Sequence, residues 1–211
     1  MLYYRAMSTS SQQTTPATNV KISVADPSAI GLFGLAIVTL VASSQKLGFT
    51  EGTALLIPWA IFLGACAQLY ASISDSKLGN TFGATAFGGY ALFWFGMALS
   101  WIIQNMNGGD KHQLGVVFIG YLLFTLIMTC GAASISKVLF LIFVMIDLLF
   151  IGLVVNTFSA KDSGLHYFGG QLAGISELII SLLSFYACGA AVLNTHFGKT
   201  VLPVGAPLIK K

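Results

Sequence analysis

Two acidic residues lie inside long apolar stretches of this 211-residue sequence, where ionisable side chains are rare. Asp147 is in the middle of one stretch, and Glu177 is about nine residues into the next. Carboxyl groups at such a depth are costly and usually mark a functional site. Both are therefore candidate proton sites.

The two carboxyls are expected at similar depths in a membrane. Counted from the loop between the two stretches at about 1.5 Å per residue, Asp147 is roughly 16 Å deep and Glu177 roughly 14 Å deep. They could meet and share a proton. Two interpretations stay open: a proton relay linked to a substrate, or buried neutral carboxyls bonded to a serine or glutamine of a neighbouring helix. An anion path requires these groups to be neutral, paired or turned away.

The arrangement of the other reactive side chains is not that of an enzyme. The histidines lie at or beyond the ends of the apolar stretches, namely His112, His166 and His196. The three cysteines are in separate stretches and are interpreted as small apolar residues. The sequence has no His-x-x-Glu-His, Gly-x-Ser-x-Gly or Cys-x-x-Cys motif. We expect no catalytic residue, no cofactor and no metal site.

Uncharged polar side chains within the apolar stretches offer a different chemistry. Gln68, Thr85 and Tyr90 can hydrogen-bond a small carboxylate or its acid without carrying a fixed negative charge. Tyr90 also has a broad ring that can narrow a passage, although packing between helices explains it equally well. Leu35 and Ile146 are candidates for an apolar constriction, with lipid contact or core packing as the alternative.

The elements that must position these residues are membrane spans. The chain is 56% hydrophobic and 8% charged, whereas about a quarter of a soluble domain is charged. Six apolar runs approach the roughly 20 residues that cross a hydrocarbon core. They cover residues 29–45, 53–74, 81–103, 114–133, 138–158 and 168–193. The prediction is an all-α integral membrane protein with six transmembrane helices and short loops.

The charge distribution predicts how the chain is organised and oriented. Residues 1–25 form a polar tail predicted to be disordered, 26–198 the transmembrane domain, and 199–211 a cytosolic tail. With six spans, the termini share a side with seven basic residues: Arg5, Lys21, Lys77, Lys137, Lys199, Lys210 and Lys211. Lys46, Lys111 and Lys161 lie on the opposite side, so both termini are predicted to be cytosolic in a plasma or inner membrane. The net charge of +3 is not clustered, which argues against a nucleic-acid partner.

Glycines and hydroxyls open the third span, in the run 79–90. Irregular or small-residue backbone at membrane depth packs on protein or lines a wet cavity. Asn80, Thr81 and Thr85 are therefore expected on a substrate path. Glycines spaced four apart, or nearly so, predict close helix packing: Gly31 with Gly34, Gly79 with Gly83, and Gly170 with Gly174.

Three motifs resemble those of the acetate uptake transporter family, the acetate/succinate permeases. Asp-Pro-Ser-Ala-Ile-Gly-Leu (residues 26–32) is similar to its Asn-Pro-Ala-Pro-Leu-Gly-Leu signature, including Asp26, Pro27 and Gly31. Gly-Asn-Thr-Phe-Gly-Ala-Thr-Ala-Phe (79–87) and Phe-Gly-Lys-Thr-Val-Leu-Pro (197–203) match its middle and tail motifs. The resemblance covers residues 26 to 205.

The resemblance implies passage of acetate and related short monocarboxylates, with succinate in some members, as a channel or with protons. It implies a homo-hexamer in the lipid bilayer, with six spans and a separate path in each subunit. It also implies an apolar narrowing at Leu35, Tyr90 and Ile146, and it aligns Gln68 with an Ala-Gln pair of the family.

The chain departs from the family pattern at several positions. Asp26 replaces an asparagine, Ala29 a proline, and Leu35 stands where phenylalanine is frequent. Asp147 and Glu177 do not belong to the pattern, so the resemblance gives them no role. A non-transporting membrane sensor, and a path for another small solute such as ammonium or formate, remain as alternatives.

Overall fold

The computed structural model describes residues 25–106 and 108–210, so nearly all of the tail predicted to be disordered (1–25) lies outside the described residues. Six helices in the described part are long and apolar enough to cross a membrane. They are α1 Ser28–Lys46, α2 Leu56–Lys77, α3 Thr81–Asn105, α4 Lys111–Ala132, α5 Lys137–Phe158 and α6 Gly164–Phe197. This confirms the all-α architecture with six membrane spans.

Helix α6 is longer than its apolar run predicts. It has 34 residues, from Gly164 to Phe197, whereas the apolar pattern covers 168–193. At 1.5 Å per residue it extends about 51 Å, well beyond a hydrocarbon core of about 30 Å. The extra turns at its carboxyl end contact the C-terminal tail.

Polar residues of the short loops begin four of the helices, because their side-chain oxygens accept a hydrogen bond from a free backbone N–H of the first turn. These caps are Asn80 for α3, Asp110 for α4, Ser136 for α5 and Ser163 for α6. The backbone N–H of His112 donates to Asp110 Oδ1 over 2.9 Å and lowers the pKa of that carboxyl below its ordinary value. The loops therefore fix where the helices start.

The helices pack side by side in the order α3, α2, α1, α6, α5, α4. The two ends of this order, α3 and α4, also touch, but much less extensively than the other neighbours. The Tyr121 hydroxyl of α4 closes this junction by donating to the Gly89 carbonyl of α3 over 3.0 Å. The six helices thus form a ring around a central path.

Helix α2 contains an eight-residue π-helical segment, Ala60–Ala67, that the apolar pattern does not predict. It follows Pro58 and ends directly before Gln68. The Leu63 carbonyl of this segment lies so close to Gly34 of α1 that a Cβ at position 34 would overlap it. Segments of this kind are frequent at functional sites, and here the wider turn precedes the polar residue that lines the path.

Close packing explains most of the predicted glycine pairs, but not Gly79. A Cβ at Gly174 of α6 would lie 2.9 Å from Leu47 and 3.1 Å from the Cβ of Lys46, so α6 approaches the end of α1 closely there. Gly79, in contrast, has no neighbour within 4 Å of such a Cβ and adopts a φ of +72°. It serves the α2–α3 turn through backbone freedom, which corrects its assignment to helix packing.

The C-terminal tail folds back onto the helices instead of extending away. Val138 of α5 donates its N–H to the Val204 carbonyl over 3.1 Å, and Leu208 donates to the Ala133 carbonyl over 2.8 Å. Asn194 of α6 accepts from Leu202 N over 2.9 Å. The tail therefore braces the end of the ring at which α5 begins.

Candidate functional site: two cavities along one path

A cavity of about 440 Å³ opens at the end of the ring where α1, α3 and α5 begin. We call it the acidic cavity because Asp26 and Asp75 line it. Six residues singled out by type and motif line it together: Asp26, Leu35, Gln68, Asn80, Tyr90 and Ile146. Its volume lies in the range of small-molecule sites, about 300–1,000 Å³.

Four of these side chains converge at one depth. Each lies on a different helix: Leu35 is seven residues, and Gln68, Tyr90 and Ile146 are nine residues, from the helix end at the cavity mouth. At 1.5 Å per residue this is about 11–14 Å, close to the middle of a membrane. All four are less than a tenth exposed. The deep end of the acidic cavity therefore combines three apolar surfaces with one amide.

Gln68 is the most unusual group at the deep end. Its side chain is 0% exposed, yet neither Oε1 nor Nε2 has a hydrogen-bond partner among the described residues. Buried polar atoms are almost always paired, because an unpaired one costs about 1–3 kcal/mol. Since the residue also lines the cavity, its amide is available to a molecule there.

The mouth of the acidic cavity is held by a contact within the motif 79–87. Asn80 Nδ2 donates to Asp75 Oδ1 over 2.8 Å, while Asn80 Oδ1 accepts from Gly83 N. A Cβ at Gly83 would overlap Asp75 Oδ2 and lie 2.6 Å from Asn80 Nδ2. This glycine thus lets the carboxyl and the helix start approach each other, which gives the motif a structural role at the mouth.

Thr81 and Thr85, predicted on the substrate path, are exposed and do not line either cavity. A helix turns 100° per residue, so the face that carries Gly83, Ala86 and Tyr90 into the cavity carries the two threonines away from it. Pro27 and Gly31 are also outside the lining. Pro27 precedes α1, and Gly31 packs against the ring of Phe87.

A cluster of aromatic rings separates the acidic cavity from a second one. Phe93 lies one turn beyond Tyr90 on α3, and its ring centre is 4.8 Å from Tyr121 and 5.4 Å from Phe150. Tyr90 itself contacts Phe124 at 5.6 Å. The second cavity begins on the far side of Phe93. The path is therefore interrupted by apolar rings at about mid-membrane.

The second cavity, of about 730 Å³, opens at the opposite end of the ring. We call it the basic cavity, because five lysine or histidine side chains line it beside a single carboxyl group. They are Glu177, Lys46, Lys111, His112, Lys161 and His166. The three lysines predicted to lie opposite the termini are thus all at this cavity. His166 Nδ1 is 2.7 Å from the Asn156 carbonyl, so that nitrogen carries the hydrogen.

Lys46 and Glu177 form an ion pair in the wall of the basic cavity. Lys46 Nζ lies 3.0 Å from Glu177 Oε1 and 2.9 Å from Oε2, so it donates to both carboxylate oxygens. The Glu177 side chain is 3% exposed and that of Lys46 is 19% exposed. Since buried carboxylates need a charged or hydrogen-bonding partner, Lys46 explains how Glu177 is accommodated.

Asp147 has a different partner from Glu177, so the predicted sharing of a proton is not found. Thr129 Oγ1 of α4 lies 2.7 Å from Asp147 Oδ2. The two carboxyls do lie at similar depths. Gly152 of α5 packs on Ala173 of α6. Asp147 is five residues before Gly152, and Glu177 is four residues after Ala173. They point to different neighbours, because one faces α4 and the other faces α1.

The ion pair of Lys46 with Glu177 is the contact in this cavity that the sequence did not reveal. Lys46 ends α1, and a lysine at the end of a membrane span normally extends toward water. The sequence offered one indication of this contact. Lys46 is a cation at the end of one span, and another span carries Glu177, an acidic residue that needs a partner. The rotation of α6 about its axis decides that contact, and an apolar pattern does not specify it.

Comparison with known proteins places the chain in a family. The model of the GPR1/FUN34/yaaH family matches residues 9–206. The succinate-acetate/proton symporter SatP of Escherichia coli K12 is 30% identical over 185 residues, 86% of this chain and 96% of SatP. Acetate permease A of Emericella nidulans is 30% identical over 154 residues, 66% of this chain and 52% of that protein.

The fold is shared with a solved relative. The structure of the bacterial acetate channel SatP superposes with a TM-score of 0.78 at 30% identity, covering 87% of this chain and all of that chain. Family model, sequence relatives and solved structure agree over the six-helix region, which confirms the resemblance seen in the three motifs. The chain is a multi-span membrane protein that belongs to the GPR1/FUN34/yaaH family.

Proposed function

We propose that this chain carries acetate and related short carboxylates, including succinate, across the membrane along the path formed by the two cavities. The observation that carries the proposal is the buried, unpartnered amide of Gln68 at the deep end of the acidic cavity. The names of the relatives, a succinate-acetate/proton symporter and an acetate permease, support the same class of substrate.

The amide of Gln68 suits a carboxyl group in either protonation state. Its two N–H donors can hold a carboxylate oxygen, and its carbonyl can accept from the O–H of the protonated acid. Leu35, Tyr90 and Ile146 lie at the same depth and can contact a methyl group. The site therefore fits a molecule with one polar and one apolar end, such as acetate.

The substrate needs a protein path because its charge excludes it from lipid. The acid titrates close to a free glutamate, about pH 4.3, so at neutral pH nearly all of it is the anion. At the deep end it exchanges part of its water for Gln68, and the rings of Tyr90 and Phe93 must then move aside. Leu35, Tyr90 and Ile146 set the size limit of this narrowing.

The charges of the acidic cavity bear on whether a proton accompanies the anion. Asp26 and Asp75 would repel a carboxylate if both were ionised. Passage past them is favoured when the substrate, or a wall carboxyl, carries a proton. Channel-like passage and proton symport therefore differ in a measurable way, namely their response to a pH gradient.

Flux of radiolabelled acetate into proteoliposomes that contain the purified full-length chain tests the proposal. We expect uptake above that of empty liposomes, and reduced uptake when unlabelled succinate competes. No excess flux would contradict transport and favour a sensor. Competition by formate or ammonium, but not by succinate, would reassign the substrate. Uptake stimulated by an inward proton gradient indicates symport, whereas insensitivity indicates a channel.

We further propose that both termini face the cytosol and that six copies assemble in the plasma or inner membrane, each with its own path. Lys77 and Lys137 lie at the end of the ring where α1 begins and α6 ends, and they support this orientation under the positive-inside rule. Labelling of Lys210→Cys by a membrane-impermeant reagent, in a variant in which Cys66, Cys130 and Cys188 are replaced by alanine, tests the sidedness. Native mass spectrometry tests the subunit number.

A further inference from the structure

We propose that Lys46 is a binding site for the carboxylate group of the substrate in the basic cavity, and that the substrate displaces Glu177, which then takes up a proton. This inference rests on the proposed function and adds a second site to it, at the opposite end from Gln68. It assigns a role to the Lys46–Glu177 ion pair, which takes no part in the binding of the substrate by Gln68 in the acidic cavity.

The geometry of Lys46 leaves it open to a second anion. Both of its hydrogen bonds in the described structure go to the carboxylate of Glu177, and an ammonium group has three N–H donors. Its side chain is partly exposed, and both residues line the basic cavity. A carboxylate that enters the cavity can therefore reach Nζ without prior movement of the helices.

The substrate and Glu177 compete because they present the same chemical group. Acetate ends in a carboxylate, as the glutamate side chain does, and either can accept two hydrogen bonds from Nζ. The competitors differ in what they can do when displaced: acetate returns to water, whereas Glu177 stays buried at 3% exposure. An uncompensated buried carboxylate is strongly unfavourable, so Glu177 is stable without Lys46 only when protonated.

The exchange balances in charge and atoms. A carboxylate and one proton enter; the Lys46 ammonium changes its partner from the Glu177 carboxylate to the substrate carboxylate, and an O–H bond forms on Glu177. The proton comes from a hydronium ion or a buffer acid in the cavity, whose bond to hydrogen breaks as the O–H bond on Glu177 forms, and no electron is transferred. The net event equals the binding of one molecule of acid, although the anion and the proton reside on different groups.

The surroundings favour capture of an anion at this position. The charged or titratable groups that line the basic cavity around the pair are Lys111 and His112 from α4, Lys161 from the α5–α6 loop and His166 from α6. All of them are basic. Asp147, at the same depth on α5, bonds Thr129 and faces away from the pair. The exposed carboxylate of Asp110 is beside the His112 ring, 2.9 Å from its Nδ1. The substrate thus meets two further lysines, and Glu177 is the carboxylate that it can replace.

Calorimetric titration of the purified full-length chain with sodium acetate tests the inference. Repeating it at pH 7 in buffers of different ionisation enthalpy counts the protons taken up. For the wild type we expect about one proton per bound acetate. Glu177→Gln, which cannot compete or protonate, should bind acetate several-fold more tightly with almost no proton uptake. Lys46→Met/Glu177→Gln, which leaves neither buried charge unpaired, should lose this binding.

Lys161→Met is the control for cavity charge, because it removes an exposed lysine from the same cavity without touching the ion pair. It should weaken acetate binding less than the double variant does and should retain about one proton per bound acetate. Wild-type binding without proton uptake, a Glu177→Gln variant indistinguishable from the wild type, or equal loss in Lys161→Met would overturn the inference. Normal acetate flux in liposomes together with any of these results would leave the proposed function standing. One-proton binding without flux would instead contradict the proposed function and leave this site in place.

Discussion

The hydroxyl of Tyr90 lies 2.9 Å from the hydroxyl of Thr125 and joins α3 to α4 where the ring of helices has its weakest contact. Thr125 donates its single hydrogen to the Tyr121 carbonyl over 2.7 Å, so Tyr90 must be the donor to Thr125. The bond therefore fixes the ring of Tyr90 across the deep end of the acidic cavity.

Replacement of Tyr90 separates the role of the ring from that of the hydroxyl. Tyr90→Ala removes the ring and should raise the uptake of larger carboxylates relative to acetate. Tyr90→Phe keeps the ring and should preserve this ratio, while the lost hydrogen bond lowers stability by about 0.5–1.5 kcal/mol. Labelled uptake and thermal denaturation measure the two effects. An unchanged uptake ratio in Tyr90→Ala would show that the ring only packs.

Gln68→Leu should reduce acetate binding and transport without destabilising the fold. The leucine removes the two unpartnered polar atoms at similar volume, so stability is unchanged or improved. Loss of the hydrogen bond to the substrate should weaken acetate binding about two- to tenfold. Gln113→Leu, at an exposed position, is the control. Wild-type transport in Gln68→Leu would remove the amide from the substrate path.

Gly83→Ala should destabilise the protein, because its Cβ would overlap Asp75 and crowd Asn80 at the cavity mouth. Overpacking of this kind costs about 1–3 kcal/mol. Gly96→Ala on the same helix meets nothing within 4 Å and should be neutral or slightly stabilising. Thermal denaturation and size-exclusion chromatography compare the two variants. Equal stability would mean that the mouth can relax around the added methyl group.

Asp147→Asn should retain acetate uptake and its response to a pH gradient. Thr129 has one hydroxyl hydrogen but lies near two oxygens, Asp147 Oδ2 at 2.7 Å and the Thr125 carbonyl at 3.0 Å. An asparagine amide can donate to Thr129 and leave that hydrogen for the carbonyl. Asp147→Leu loses the bond and should cost about 0.6–1.7 kcal/mol. A pH response abolished in Asp147→Asn would instead indicate a proton relay.

Asn194→Ala should release the C-terminal tail. Its side chain accepts from the backbone N–H groups of Val201 and Leu202 and donates to the Leu202 carbonyl over 2.9 Å. Without these bonds, limited proteolysis should cleave near Lys199 sooner than in the wild type. Thr195→Ala, one residue along the same helix, is the control. Identical cleavage rates would show that the contacts of Val204 and Leu208 suffice to hold the tail.

The helices were predictable from sequence because their signal is strong and local. Six apolar runs of membrane length, separated by short polar loops, predict α1 to α6 within a few residues except at the ends of α6. Four of the loop residues proved to be helix caps, for which their side chains are chemically suited. A narrowing at Leu35, Tyr90 and Ile146 was also expected, although from the family resemblance, whereas nothing in the sequence placed Gln68 beside these three residues.

The side-chain partners were less predictable, because an apolar pattern does not fix how each helix is rotated. Lipid-facing and interior residues are both apolar in a membrane protein, so the pattern cannot tell which face of α3 turns inward. Thr81 and Thr85 were placed on the path for this reason. The same uncertainty hid the Lys46–Glu177 and Asp147–Thr129 contacts, which depend on the rotation of α6 and α5.

The two cavities present opposite charges, and this asymmetry has a kinetic consequence. A carboxylate arriving at the Lys46 end meets lysines that attract anions, whereas one arriving at the Asp75 end meets two carboxyl groups that repel it when they are ionised. With equal concentrations on both sides, detailed balance still requires equal exchange in the two directions. When the direction of the substrate gradient is reversed, however, the transport rate saturates at a different substrate concentration. The fixed charges thus make the transport rate depend on the direction of the gradient, but they cannot drive transport against a gradient.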